Sequence, residues 1–363
     1  MQGTIGQRPY YSCLMKLSTV PKMFTFRDWI EFAPEDREQR VLNTKRVPDI
    51  ARYMLENEEG YLFSSITASY RCEVKFKPLG GEDGQSLGML EMDFENANFV
   101  INDGQHRCAA IAHALKENPS LGEETLSVLL FNYENRERVQ QMFSDLNRFV
   151  AKTSKSLDIL YDKRDVLANV VLEVCEQVPA FENLVEKDAM SLPARSNKLF
   201  TLAALYDANC ELLNRVKDND EVSRNELIEM AKEYWVELSK VMPDWEKVKN
   251  GQLTPVALRQ EKISTHSVVM RALGAVGAEL FQQFPTEWKT QLQELASVDW
   301  SKRNPDWDNV CIVANSVVSN RQARGATKAY LKYRLKLGLT EVEQKAIAHI
   351  SRRQQEAETA AQA

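Results

Sequence analysis

Asn98-Phe99-Val100-Ile101-Asn102-Asp103-Gly104-Gln105-His106-Arg107 runs directly into Cys108-Ala109-Ala110-Ile111-Ala112-His113-Ala114-Leu115. The first residues form a short β-type run, the last a small-residue helical stretch, so the polar block Asp103–Arg107 falls at a strand-to-helix junction. A helix start presents backbone N–H groups and positive partial charge to an anion. Gly104 permits close backbone approach, Arg107 supplies a planar cationic fork, and His106 titrates near neutral pH. The block therefore predicts a phosphate cradle made of Gly104, Gln105, His106 and Arg107. The plain alternative is a satisfied polar network inside the domain. Asp103 is expected to cap the helix, with a general-base or metal-holding role as its rival.

Outward from the junction, Ser64–Tyr70, Val74–Lys77, Leu87–Phe94 and Thr125–Phe131 also read as strands. Gly80–Gly84 reads as a loop and Glu95–Asn98 as a tight hairpin connection. Val139, Met142, Phe143 and Leu146 recur at helical spacing. An α/β domain is placed at residues 40–160, after a leading segment at 1–39 whose docking is left open. From residue 161 to 350 amphipathic helices dominate: Val166–Val178, Leu199–Val216, Asn225–Met242, His266–Phe284 and Gln322–Leu337, punctuated by Pro193, Pro243, Pro255, Pro285 and Pro305. Residues 351–363 read as a flexible tail. The expected architecture is thus an α/β domain followed by a mainly α-helical region, α+β overall.

Forty-six basic against fifty-two acidic residues give a net charge of −6, which opposes indiscriminate attachment to DNA and confines any nucleic-acid contact to local patches. The stretch Arg321–Leu339 carries Arg321, Arg324, Lys328, Lys332, Arg334 and Lys336 with no Asp or Glu. As a helix it would align Lys328, Lys332 and Lys336 on one face and turn Leu331 and Leu335 inward. Arg148, Lys152 and Lys155 form a second basic cluster. Solvation alone is the rival explanation for either patch. Asn147 and Arg148 end the Val139–Leu146 helix, where a polar stop is the commoner role. Ser196 or Asn197 is expected to cap the helix that follows, leaving Arg195 and Lys198 for phosphate contact. The four histidines include no His-x-x-x-His or His-Glu-x-x-His spacing, and no nucleophile elbow or Gly-x-x-x-x-Gly-Lys-Ser/Thr loop occurs. No metal, serine-hydrolase or P-loop site is therefore signalled. Six scattered cysteines, the absence of a long apolar run and the character of the first residues lead to the expectation of a cytoplasmic protein with no membrane partner.

Asp103–Arg107 spells the signature of the DGQHR-domain family, and the chain resembles that family's DndB members, from bacterial DNA phosphorothioate modification systems. Met142–Asn147 with Thr153–Leu157 is similar to a second family block, Arg195–Leu202 to a third, and Asp299–Ser301 through Pro305 and Trp307 to a later one. The resemblance implies a ParB/sulfiredoxin-like fold for the first domain. It departs from sulfiredoxins in having Gln105 where their reactive cysteine follows the glycine, so phosphoryl transfer to cysteine is not expected. The family implies a DNA-binding negative regulator of transcription of a sulfur modification gene cluster. Its partners would be double-stranded promoter DNA and other Dnd proteins, a homodimer being compatible. Lys152, Lys155, Arg195, Lys198, Arg321, Arg324, Lys328, Lys332 and Lys336 are the DNA-contact candidates, and Asn147 and Arg148 join the phosphate site. The rival is an enzyme or switch acting on a nucleotide or a DNA phosphodiester, with Asp103 or His106 as base, and a nucleoside triphosphate such as ATP with Mg as the cofactor.

Overall fold

A computed structural model describes residues 1–24, 42–80, 84–93, 97–148, 153–219 and 221–350. Lys152, most of the Gly80–Gly84 loop, Glu95 and Asn96, residues 25–39 of the leading segment and the tail at 351–363 lie outside the described residues. The expected hairpin at Glu95–Asn98 does not form among the described residues, since Gly88–Met92 pairs with Val74–Pro78 and Asn98–Asp103 with Ile66–Arg71. The chain divides into two compact units, Met1–Ala151 and Lys152–Ala363.

The first unit is built on five strands: β1 (Gln2–Ile5), β2 (Arg8–Lys16), β3 (Ile66–Arg71), β6 (Asn98–Asp103) and β7 (Thr125–Asn132), in the order β1-β2-β7-β3-β6. Only the β3–β7 pair is parallel. β4 (Val74–Pro78) and β5 (Gly88–Met92) form a separate antiparallel pair. The leading segment, whose docking the sequence leaves open, supplies two strands of the α/β sheet. β2 pairs with β7 from Tyr10↔Phe131 to Lys16↔Thr125. Its outward residues include the exposed Leu14, which blurs the alternation that normally marks a half-buried strand.

Ile66, Ala68, Ile101, Val128 and Leu130 form the sheet's contribution to the core. The short helix α1 (Val20–Met23), α2 (Val47–Glu56) and α3 (Gln105–Glu117) pack onto it. In α3 the small residues Cys108, Ala110 and Ala114, together with Ile111, are completely buried. Their lack of bulk lets the helix axis lie close to its neighbours. Burial raises the Cys108 thiol pKa to about 12, which holds it as an inert packing group. α4 (Arg136–Arg148) packs along β6, so the sheet edge that carries the Asp103 junction is flanked by helices that start and end there.

The second unit contains α5 (Lys155–Tyr161), α6 (Val166–Gln177), α7 (Leu202–Leu212), α8 (Arg224–Lys240), α9 (Pro243–Lys249), α10 (Pro255–Glu261), α11 (Ser267–Gln283), α12 (Trp288–Leu292) and α13 (Arg321–Arg334). Two-residue strand pairs, Val185–Glu186 with Phe200–Thr201 and Ile312–Val313 with Ser316–Val317, complete it. The mixed strands and this helical region give an α+β protein. α11 is buried along nearly its whole length and crosses α7 closely. A Cβ added at Gly274 would lie 2.0 Å from the Ala208 carbonyl oxygen, so only glycine permits that crossing. Beside it, Trp235 Nε1–H donates to Asn209 Oδ1 at 3.0 Å, satisfying two polar groups inside the apolar core.

Among the described residues no helix is long and apolar enough to cross a membrane, and all six cysteines are free.

Candidate functional site

The Asp103–Arg107 block sits where the sequence puts it, between the edge strand β6 and the first turn of α3. A cavity of about 380 Å³ opens there, lined by Asp103, Gly104, Gln105, His106 and Arg107 together with Asn102, Asn147 and Phe143. Arg46, Ile50 and Leu62–Ser64 close the other side. Gly104 is the residue before the helix, at φ 104° and ψ 14°, a conformation that disfavours any side chain. A Cβ there would also come within 3.1 Å of Ile66 Cγ1 and 3.2 Å of Arg107 Nη2.

Asp103 does not cap the helix, which corrects the expectation from its position. The cap residue is Gly104, which has no side chain to cap the first turn. The Asp103 carboxylate instead takes a charge-assisted hydrogen bond from Arg107 Nη2, one helical turn on. Arg107 Nη1 donates to the Ser64 carbonyl at 2.6 Å and to the Ser64 hydroxyl. The Arg107 side chain is only 14% exposed, so burial and these partners hold its guanidinium in one orientation. His106 Nε2 accepts the Asn43 backbone N–H at 3.0 Å, tying the junction to the start of α2. Gln105 is buried. Asn102, on β6, accepts from Ser69 Oγ at 3.0 Å in the buried interior.

Asn147 reaches the cavity from the end of α4, where its amide also donates to the Phe143 carbonyl of its own helix at 2.8 Å. It thus both stops the helix and lines the site. Arg148 is exposed at the end of α4 and does not line the cavity, and Asp145 accepts from Gln141. The lining residue that sequence inspection missed is Arg46. It is exposed, lies just before α2, and has no carboxylate partner among the described residues. The junction is therefore partly self-neutralised, Asp103 against Arg107, with a second guanidinium at the rim that meets no carboxylate among the described residues. No group of three or more His, Cys, Asp or Glu gathers among the described residues.

The basic stretch at 321–339 is rearranged relative to its helical-face expectation. α13 ends at Arg334, and Lys336, at φ 57°, lies beyond it, so Lys328, Lys332 and Lys336 do not form one continuous helical face. Leu331 and Leu335 turn inward as expected. Lys332 is buried between Glu279 and Glu343 at 3.1 and 2.8 Å, Lys328 pairs with Glu279 at 2.7 Å, and Lys336 with Glu294 at 2.8 Å. Acidic partners distant in sequence thus compensate a run that contains no acid of its own. Arg321 and Arg324 remain exposed on the first turn of α13 without carboxylate partners among the described residues.

Lys155 pairs with Asp207. Lys198 donates to the Asn183 carbonyl at 2.9 Å, and Arg195 is exposed. The cap of α7 is Thr201, whose hydroxyl accepts from the Ala204 N–H at 3.2 Å, and neither Ser196 nor Asn197 has that role. The short strand Phe200–Thr201 intervenes and moves the helix start on.

No curated protein and no solved structure matches the chain. The sequence model of the DndB family, described as DNA-sulfur modification-associated, matches residues 1–338. That span covers the first unit, most of the second and every basic residue discussed above that is described, and the chain accordingly belongs to the DndB family.

Proposed function

We propose that this protein is a DNA-binding negative regulator of transcription for a DNA sulfur modification gene cluster. The observation that carries the DNA-binding part is the junction cavity, in which Arg46, without a carboxylate partner among the described residues, stands beside a helix start capped only by Gly104. A backbone phosphate at this rim gains a bidentate partner in Arg46 and the positive end of α3. Arg107, immobilised by Asp103 and Ser64, acts as a fixed positive wall and not as a mobile clamp. Arg321 and Arg324 add exposed charge from the second unit. Such contacts give affinity and register, while base-edge contacts give sequence choice. Occupancy of promoter DNA would then exclude the transcription machinery.

Binding is favoured over hydrolysis at the junction because both proposed bases are engaged: the Asp103 carboxylate by Arg107, and His106 Nε2 by the Asn43 N–H. The rival use of ATP with Mg predicts turnover that the Arg107→Ala variant abolishes. To test the regulator, fluorescence anisotropy of the full chain on duplexes from upstream of its own cluster is paired with a reporter gene under that promoter. Tight binding to the promoter duplex over a scrambled one, with reporter output lowered, is expected. Equal affinity for both duplexes and an unrepressed reporter would refute the proposal.

A further inference from the structure

The second unit contains a larger cavity, about 690 Å³, that the DNA-binding proposal does not use. Three sequence stretches singled out for other reasons meet around it: Lys155 from the start of α5, Leu199 and Thr201 ahead of α7, and Lys302 from the Trp300–Trp307 segment. The Trp-containing segment is fixed there by main-chain bonds, Ile263 N–H to the Trp300 carbonyl at 3.0 Å and Lys302 N–H to the Glu261 carbonyl at 2.8 Å. The volume falls within the range of small-ligand pockets, roughly 300–1,000 Å³.

The polar lining is cationic and incompletely satisfied. Lys302 Nζ donates to the Arg259 carbonyl at 2.7 Å and meets no carboxylate among the described residues. Arg259 clamps the preceding loop through the carbonyls of Pro193, Ala194 and Ser196, yet its Nε is buried without a partner. His266 Nε2 is likewise buried and unpartnered. Thr265 is 6% exposed, lines the cavity, and makes no side-chain hydrogen bond among the described residues. Ser267 opens α11, a 17-residue helix whose cap residue, His266, supplies no side-chain acceptor. Asp207 is the one carboxylate in the lining, and it is taken by Lys155 and Arg271. Polar groups buried without partners are costly, and an anion at this cationic lining is the ligand whose charge and acceptor oxygens suit it.

We propose that this cavity binds the phosphate group of a small phosphorylated ligand, its oxygens received by Lys302, His266, Thr265 and Ser267 at the first turn of α11. Burial and the neighbouring Lys302 and Arg259 charges hold the His266 pKa down to about 4. Arg259 and Lys302 are also shifted toward their neutral forms, burial being the main cause. A bound phosphate reverses the sign of that field. Lys155 and Gln260 line the remaining space, where the ligand's organic part would lie.

The test titrates the full chain by calorimetry with inorganic phosphate and, separately, with a nucleoside monophosphate. His266 ring signals are followed by NMR in the same titrations. Saturable binding of one or both probes is expected, with the His266 pKa moving up. Lys302→Met should weaken binding about tenfold and Thr265→Val about threefold. Thr265→Val leaves Arg259 and Lys302 in place, so it keeps the test valid if Lys302→Met fails to fold. Binding of the monophosphate over inorganic phosphate identifies a phosphoester ligand, and the reverse a free oxyanion. No heat with either probe and a stationary His266 signal would overturn the proposal. So would a Thr265→Val variant that binds as wild type, or a duplex DNA whose affinity falls in the Lys302 variant while neither small probe binds.

Discussion

Replacing Gly104 by Ala perturbs the junction at its most constrained backbone position. At φ 104° a side chain meets its own backbone, and holding a non-glycine residue in such a region costs on the order of 1–3 kcal/mol. The new methyl also presses on Ile66 Cγ1 at 3.1 Å and Arg107 Nη2 at 3.2 Å. Ile66 is completely buried and Arg107 is fixed by Asp103 and Ser64, so neither yields freely. The total expected is about 2–3 kcal/mol, confined to the first unit. Of the six tryptophans only Trp29 falls in that unit, so tryptophan fluorescence follows mainly the second, while hydrogen exchange at β3 and β6 follows the first. The variant should lose protection in β3, β6 and α3 and keep the tryptophan-reported transition. Gly104→Asn, better tolerated at positive φ, should recover about 1 kcal/mol of the backbone share but not the displacement of Arg107. A Gly104→Ala protein with wild-type exchange at β6 and wild-type DNA affinity would refute the role assigned to this turn.

Three further outcomes are expected. His266 has a folded-state pKa near 4 against about 6.5 unfolded, so the unfolded chain takes up the proton first: stability is intact above about pH 6.5 and falls by about 3 kcal/mol as pH drops toward 4. Urea midpoints of wild type and His266→Asn across this window should show the acid slope shrinking in the variant, and equal slopes would contradict it. Lys332→Met removes the buried partner of Glu279 and Glu343 and should cost about 3 kcal/mol in denaturant unfolding. A change within 0.5 kcal/mol would show the pair to be dispensable. Charge reversal at Arg321 and Arg324 should leave stability within about 0.5 kcal/mol yet weaken DNA binding at low salt, as measured by anisotropy, because both are exposed and neither is engaged by a carboxylate among the described residues. Undiminished affinity would remove them from the interface.

Sequence legibility followed the physics of each element. β3, with its five consecutive buried residues, agrees with the strand expected at Ser64–Tyr70, whereas the Val139–Leu146 spacing matches the helix α4 but not the buried stripe it implies: Val139 alone is buried, and Leu146 is exposed. β1 and β2 were not legible as part of the sheet because β2 leaves Leu14 exposed and makes its partner β7 more than a hundred residues on. The junction was legible as a strand–glycine–helix turn, but the fate of its charges was not. Asp103 looks like a cap in sequence, whereas glycine's backbone freedom lets the chain cap itself and releases the carboxylate to Arg107. Long-range compensation is also invisible locally: Glu279 and Glu294, from α11 and the segment after α12, neutralise lysines that sequence spacing presents as a bare basic stripe. Arg46 escaped notice because nothing near it in sequence marks it. Only the folding of α2 onto α3 brings it to the cavity.

The central claim is that the junction cavity meets DNA through Arg46. The most direct measurement is the dependence of log K on log salt for the promoter duplex, taken on wild type and on Arg46→Ala. Loss of one phosphate contact should lower affinity several-fold at low salt and reduce the slope by about 1, on specific and scrambled duplexes alike. A slope and affinity indistinguishable from wild type, in a variant with unchanged unfolding, would contradict the account.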